Sequence, residues 1–174
     1  QTWTVQTIQP GGAKFFVTGS KKESNFHVVD SEYRGLAALD AVTAIVIAEG
    51  YATADTLSQA LSCPVVAAFD SGNLLKVAQV LQKKYPQKPI VIAGDDDLTQ
   101  ESINGKNPGK EKAMEAAQLV NGAVVLPIFA PGEQMSQQLS DFNDLANKSV
   151  LGIEAVKRQV GSVVEKVSQQ AKQD

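Results

Sequence analysis

Ala44-Ile45-Val46-Ile47-Ala48-Glu49-Gly50 and Ile90-Val91-Ile92-Ala93-Gly94-Asp95-Asp96-Asp97 decide the fold of this chain. Each is a short apolar run that ends at once in glycine and acid. A strand with one wet face alternates polar and apolar residues. An unbroken apolar run reads as a strand covered on both faces, as in parallel sheets. Val65 to Phe69 and Ala123 to Ile128 repeat the pattern. Helical stripes lie between them: Leu74, Val77, Ala78 and Leu81 in one, Ala113, Ala116, Ala117 and Val120 in another. The order β-α-β-α-β-α-β predicts an α/β fold with an open parallel sheet of about four strands, flanked by helices and joined by right-handed crossovers.

Outside this core the pattern changes. Trp3, Val5 and Ile8, then Phe15-Phe16-Val17, then Phe26-His27-Val28-Val29 read as a small antiparallel β meander, with turns at Pro10-Gly11-Gly12 and Gly19-Ser20. Ser31 is placed to cap a short helix over Glu32 to Asp40. At the other end Ile153, Val156, Val160, Val163 and Val167 give one apolar helical face. The expected division is a β subdomain over 1–40, a core over 41–150 and an amphipathic helix over 151–174.

Composition narrows the function. The chain has 174 residues and a formal charge of −3, so nucleic-acid binding cannot be inferred from bulk charge and needs a local basic patch. One Cys and one His exclude a disulfide framework, and a Cys/His zinc site made by one copy. No apolar run approaches the ~20 residues that span a bilayer, and no basic-then-apolar leader is present. The expectation is a cytoplasmic protein with no membrane partner. The chain starts at Gln1 rather than Met and is expected to be a piece of something longer.

Ligands of open parallel sheets bind beyond the carboxyl ends of the strands. Those ends carry Glu49-Gly50, Asp70-Ser71-Gly72-Asn73 and Gly94-Asp95-Asp96-Asp97. Acids gathered this closely repel one another unless a cation neutralises them. Asp95 and Asp97 share a side if the extended chain persists there. Such a pair suits Mg²⁺, which takes one or two carboxylates and fills its remaining positions with water and substrate phosphates. Gly50 removes a Cβ beside Glu49 and lets substrate approach.

Other readings compete. Asp70 to Asn73 is either an ordinary strand-to-helix cap or a substrate-facing loop. Lys21-Lys22 is a solvated turn or a phosphate contact, and His27 is chiefly structural. Cys63 reads as packing. An EF-hand fails because Gln100 and Lys106 stand where Gly and Glu are needed. A Walker loop fails because Gly105 to Lys110 is one residue short and Glu111 follows. Asp95-Asp96-Asp97-Leu98-Thr99 fits the DxDxT signature of haloacid-dehalogenase-type phosphatases. In that family, however, the motif ends the first core strand, whereas here two core strands precede it.

The ordered set of motifs resembles the Toprim domain. Ile45 to Ala54, with Glu49-Gly50-Tyr51-Ala52-Thr53-Ala54, is similar to its first motif, and Ile92 to Asp97 to its DxD motif. Asn107-Pro108-Gly109-Lys110 to Ala117 resembles the helix that follows. Phe69 to Leu74, Asp141-Phe142-Asn143-Asp144-Leu145, and Gly12-Ala13-Lys14-Phe15-Phe16 leading to Phe26-His27-Val28-Val29 resemble the primases of conjugative plasmids and phages. The resemblance implies a DNA primase-type nucleotidyltransferase that makes primers on single-stranded DNA from nucleoside triphosphates. Other domains of a longer primase or conjugation protein would be its partners. Glu49 is implied as general acid/base, and Glu49, Asp95 and Asp97 as ligands of Mg²⁺ or Mn²⁺. Asp70, Asn73, Asp144 and Lys110 are accessory candidates. Lys14, Lys21, Lys22 and His27 are candidate nucleotide or nucleic-acid contacts. The alternative is a non-catalytic Toprim-like module that binds DNA or a partner.

Overall fold

The computed structural model describes residues 5–10, 13–19, 21–32 and 34–173. Trp3, Gly11, Gly12 and Ser20, parts of the expected first strand and turns, lie outside them.

The core strands form where the apolar runs predicted. They are β4 (Ile45–Ala48), β5 (Val65–Ala67), β6 (Ile90–Ala93) and β7 (Ala123–Val125), after the N-terminal strands β1 (Gln6–Ile8), β2 (Lys14–Phe16) and β3 (His27–Val29). The main sheet has five strands in the order β3-β5-β4-β6-β7. β5, β4, β6 and β7 are parallel, and β3 is antiparallel to β5, with His27 opposite Ala67. The expected meander is therefore divided. β1 and β2 pair as a separate antiparallel ribbon, while β3 leaves them to cover the edge of the main sheet. Edge coverage is the physical reason: Val28 and Val29 are buried by joining β5, one on each face of the sheet.

The helices that position the site are α1 (Tyr51–Leu61), α2 (Ser71–Lys84), α3 (Leu98–Asn104), α4 (Pro108–Leu119), α5 (Glu133–Gln137), α6 (Phe142–Asn147) and α7 (Gly152–Gln170). The short helix expected from a Ser31 cap starts later, as a 3-10 turn over Gly35–Asp40 without a side-chain cap. Strand residues alternate between two cores. Val46, Ala48, Val91 and Ala93 face α1, α6 and α7. Ile45, Ile47, Ile90 and Ile92 face α2 and α4. Both stripes read from the sequence on α2 and α4 are buried in that second core. On α7, Val156 and Val160 are buried and Val163 and Val167 partly so, whereas Ile153 remains 41% exposed.

This layering fixes where a ligand can enter. β4 connects through α1 on one face, while β5 and β6 connect through α2 and α4 on the other. The crossovers part between β4 and β6, and a crevice opens beyond their carboxyl ends. Glu49 follows β4 directly, and Asp95 follows β6 after one glycine.

Candidate active site

Glu49 and Asp95 meet at that crevice. Burial and the charges of Glu49 and Asp141 push the Asp95 carboxyl up to about 8, against the pull of Lys14. Burial also raises Glu49, as do the charges of Asp70 and Asp141, while Lys14 and the Ser71 backbone N–H draw it down. Asp141 is raised chiefly by burial. Three acids from three separate loops thus share one poorly hydrated space. One oxygen of Asp95, Oδ1, is buried with no hydrogen-bond partner. A buried carboxylate oxygen left unmatched is costly, and a cation is the partner that would relieve it. The donor set of hard carboxylate oxygens suits Mg²⁺ or Mn²⁺.

Lys14 is the cation that β2 brings to these acids. Its Nζ lies 3.2 Å from where a Cβ on Gly50 would stand. The ribbon carrying it is held by Phe16, which packs edge-on against Phe69 with ring centroids 5.8 Å apart. Phe69 has φ +76°, a strained position for a non-glycine residue at the turn from β5 into α2.

The aspartate triplet does not keep one side. Asp97 leaves the extended conformation, with φ −87° and ψ 79°, and its Oδ1 accepts the Gln100 N–H at 2.8 Å as the cap of α3. Asp96 accepts from Asn107 at 2.8 Å and pairs with Lys110 at 3.6 Å. Among the described residues, no three His, Cys, Asp or Glu side chains are close enough together to enclose an ion. The geometry brings Glu49 and Asp95 into one acid group with Asp141 and leaves Asp97 beside it. The shared side expected for Asp95 and Asp97 assumed that the strand continues through Gly94. The turn into α3 ends it.

The accessory candidates separate by role. The Asp70 side chain caps α2, accepting the Asn73 N–H at 3.0 Å, and is ion-paired with Lys22. Its charge acts on Glu49. The Asn73 side chain is buried and structural. Its Nδ2 donates to the carbonyls of Lys22, Asn25 and Ala68, and its Oδ1 accepts the Ser24 N–H at 2.8 Å. It clamps the 22–25 loop to the start of α2. Asp144 accepts the Ser140 N–H at 3.0 Å and pairs with Lys148 at 2.7 Å, and its charge acts on both Asp95 and Asp141. His27 lies at the same edge as the acids, with its ring 5.8 Å from that of Tyr51. The Lys21 carbonyl accepts from Asn25 in the adjoining loop.

Asp141 is the residue that the sequence-based site omits. It caps α6, accepting the Asp144 N–H at 2.7 Å, and its other oxygen accepts the Thr53 hydroxyl at 3.2 Å. A capping aspartate before an apolar helix signals a helix start and nothing more. Its place beside Glu49 follows from α6 packing on α1, which no local pattern reveals.

The Toprim domain family matches residues 44–150. Two proteins of Escherichia coli, each named DNA primase TraC, are similar along almost the whole chain. One is 39% identical over 227 residues, covering 98% of this chain and 15% of the relative. The other is 42% identical over 221 residues, covering 95% and 20%. The chain therefore spans a fifth or less of these relatives' length. No solved structure matches it.

Proposed function

Because this chain belongs to the Toprim family, we propose that it is the nucleotidyl-transfer core of a plasmid-type DNA primase, joining nucleoside triphosphates into primers on a single-stranded DNA template. The observation that carries this reading is the buried Asp95 carboxylate, with one oxygen unpartnered and Glu49 and Asp141 beside it. Such a cluster is costly in an empty fold and useful around a dication. Glu49 and Asp95 would hold Mg²⁺ or Mn²⁺, with Asp97 joining once it leaves its cap on α3. When bound, the ion supplies charge neutralisation for the triphosphate and for the developing oxyanion.

Glu49 serves as the base. While it is off the ion, a carboxylate raised by burial binds a proton more readily than a solvated one, which suits Glu49 to take the proton of a primer 3′-hydroxyl. The new bond runs from that oxygen to the α-phosphorus, and the bond to pyrophosphate breaks. Lys14 offsets negative charge beside Glu49, and Gly50, lacking a Cβ, leaves room for the Lys14 ammonium. Lys22 and His27 stand on the side from which template or nucleotide would approach. The similarity to the TraC primases supports this reading, and the remaining parts of a longer protein would be its partners.

Asp97's cap on α3 favours a second reading, a Toprim-like module that binds DNA or a partner without turnover. One experiment separates the two. The 174-residue chain is assayed for dinucleotide formation on single-stranded DNA with Mg²⁺ or Mn²⁺, alongside Glu49→Gln. Product from the wild type and none from Glu49→Gln supports the transferase. DNA binding without product, equal in both proteins, supports the docking module.

Among the described residues no helix is long and apolar enough to cross a membrane.

A further inference from the structure

Asn107 is the N-cap of α4 and is 3% exposed. Capping requires only its side-chain oxygen, facing an N–H of the first turn. That bond is present but long: the Lys110 N–H reaches Oδ1 at 3.4 Å. The same oxygen accepts the Asp97 N–H at 3.2 Å. Nδ2, which capping leaves unused, donates to Asp96 Oδ1 at 2.8 Å and to Glu101 Oε2 at 2.9 Å. Both acceptor positions and both donor hydrogens of the amide are thereby filled. Ser, Thr or Asp would cap α4 as well as Asn does, but none of them could donate twice to two carboxylates.

The rest of the α4 start is fitted to the same loop. A Cβ on Gly109 would stand 3.1 Å from Asp95 Cβ and 3.2 Å from its carbonyl oxygen. Opposite, the Asp96 N–H donates to the Ser140 carbonyl at 2.7 Å, and Gln134 Nε2 donates to the Asp96 carbonyl at 2.7 Å. The middle aspartate is therefore gripped from both sides while its two neighbours carry the candidate ligands.

We propose that Asn107 is a positioning residue for divalent-cation binding: it ties Asp96 and the Asp97 backbone to α4 and so sets where the Asp95 and Asp97 carboxylates stand. This inference rests on the metal reading of the preceding subsection. Groups that orient ligands from behind typically govern metal affinity by about 10–100-fold.

The test uses the 174-residue chain, with MgCl₂ and MnCl₂ as probes. Calorimetry and the metal-induced shift in Tm are read for wild type, Asn107→Ala, Asn107→Asp and Ser58→Ala. Hydrogen exchange of the Asp97 amide is read without metal. Ser58 donates to the Cys63 carbonyl at 2.8 Å, at the far end of α1. Its variant therefore loses a hydrogen bond remote from the loop, and is expected to lower Tm while keeping metal affinity within twofold. Both Asn107 variants are expected to bind metal at least ~10-fold more weakly. In Asn107→Ala the Asp97 amide is expected to exchange at least tenfold faster. Metal affinity within twofold of wild type in Asn107→Ala overturns the role of Asn107 and leaves the metal reading standing. A wild type with neither binding heat nor a Tm shift overturns both.

Discussion

The Lys14 ammonium sits 3.2 Å from the position a Cβ would take on Gly50, so a residue of the N-terminal ribbon closes over the first turn of α1. Gly50 has φ −100° and ψ 159°, a conformation open to alanine. Gly50→Ala is therefore expected to fold, losing about 0.5–1 kcal/mol as a poorer cap, while displacing the flexible Lys14 head. With that cation moved away, the Glu49 carboxyl rises further. NMR titration of Glu49 in the two proteins checks the direction, and a Glu49 that titrates as in wild type would show that Lys14 is not pushed aside.

Asp95→Asn should stabilise the metal-free protein. The folded-state value of about 8 lies above the ordinary 3.8, so the native form holds the proton more tightly than the unfolded chain does. The contribution of Asp95 to stability is then complete below about pH 4 and is lost as pH rises through 8. Asparagine removes that loss. At pH 8 the variant is expected to melt roughly 3–6 °C higher, for about 1–2 kcal/mol, and to show no Tm shift with MgCl₂. Melting below wild type at pH 8 would contradict the buried-charge account.

Asp30 behaves in the opposite sense. Hydrogen bonds from Arg34 at 3.0 and 2.9 Å hold its carboxyl down to about 2. Its contribution is complete above about pH 4 and fades as pH falls through 2. In Asp30→Asn, the urea midpoint should drop less steeply between pH 4 and pH 2 than in wild type. Parallel slopes would rule out this pair as a source of acid sensitivity.

Asn73→Ala should cost roughly 2–3 kcal/mol, because the buried Ala68 carbonyl and half-buried backbone groups of the 22–25 loop lose their partner. Urea unfolding measures the loss, and faster exchange of the Ser24 amide locates it. A loss below ~0.5 kcal/mol would mean that the loop holds its place without the clamp.

What the sequence made legible follows from the range of each interaction. Ile45–Ala48 and Ile90–Ala93 are buried throughout, and an unbroken apolar run reports that locally. The convergence of Glu49 and Asp95 was equally readable, because topology alone places strand ends together. The side of Asp97 was not, because two-residue parity holds only while a strand continues. The partner of β3 was hidden too: Phe26 to Val29 reads as a strand, but edge pairing is chosen by the finished sheet. Asp141 was hidden for the same reason, since helix packing carries it to the acids.

The placement of β3 and α7 has a practical consequence for dissecting this protein. The segment matching the Toprim family begins after β3 and stops before α7. A fragment trimmed to that match would leave the Val65–Ala67 backbone as a bare rim able to zip onto a second molecule, and would strip the α7 share of the covering over Val46 and Val91. Excision at those bounds should yield clumping material rather than a smaller folded core, and Lys14 and Lys22 would be left behind in the discarded piece.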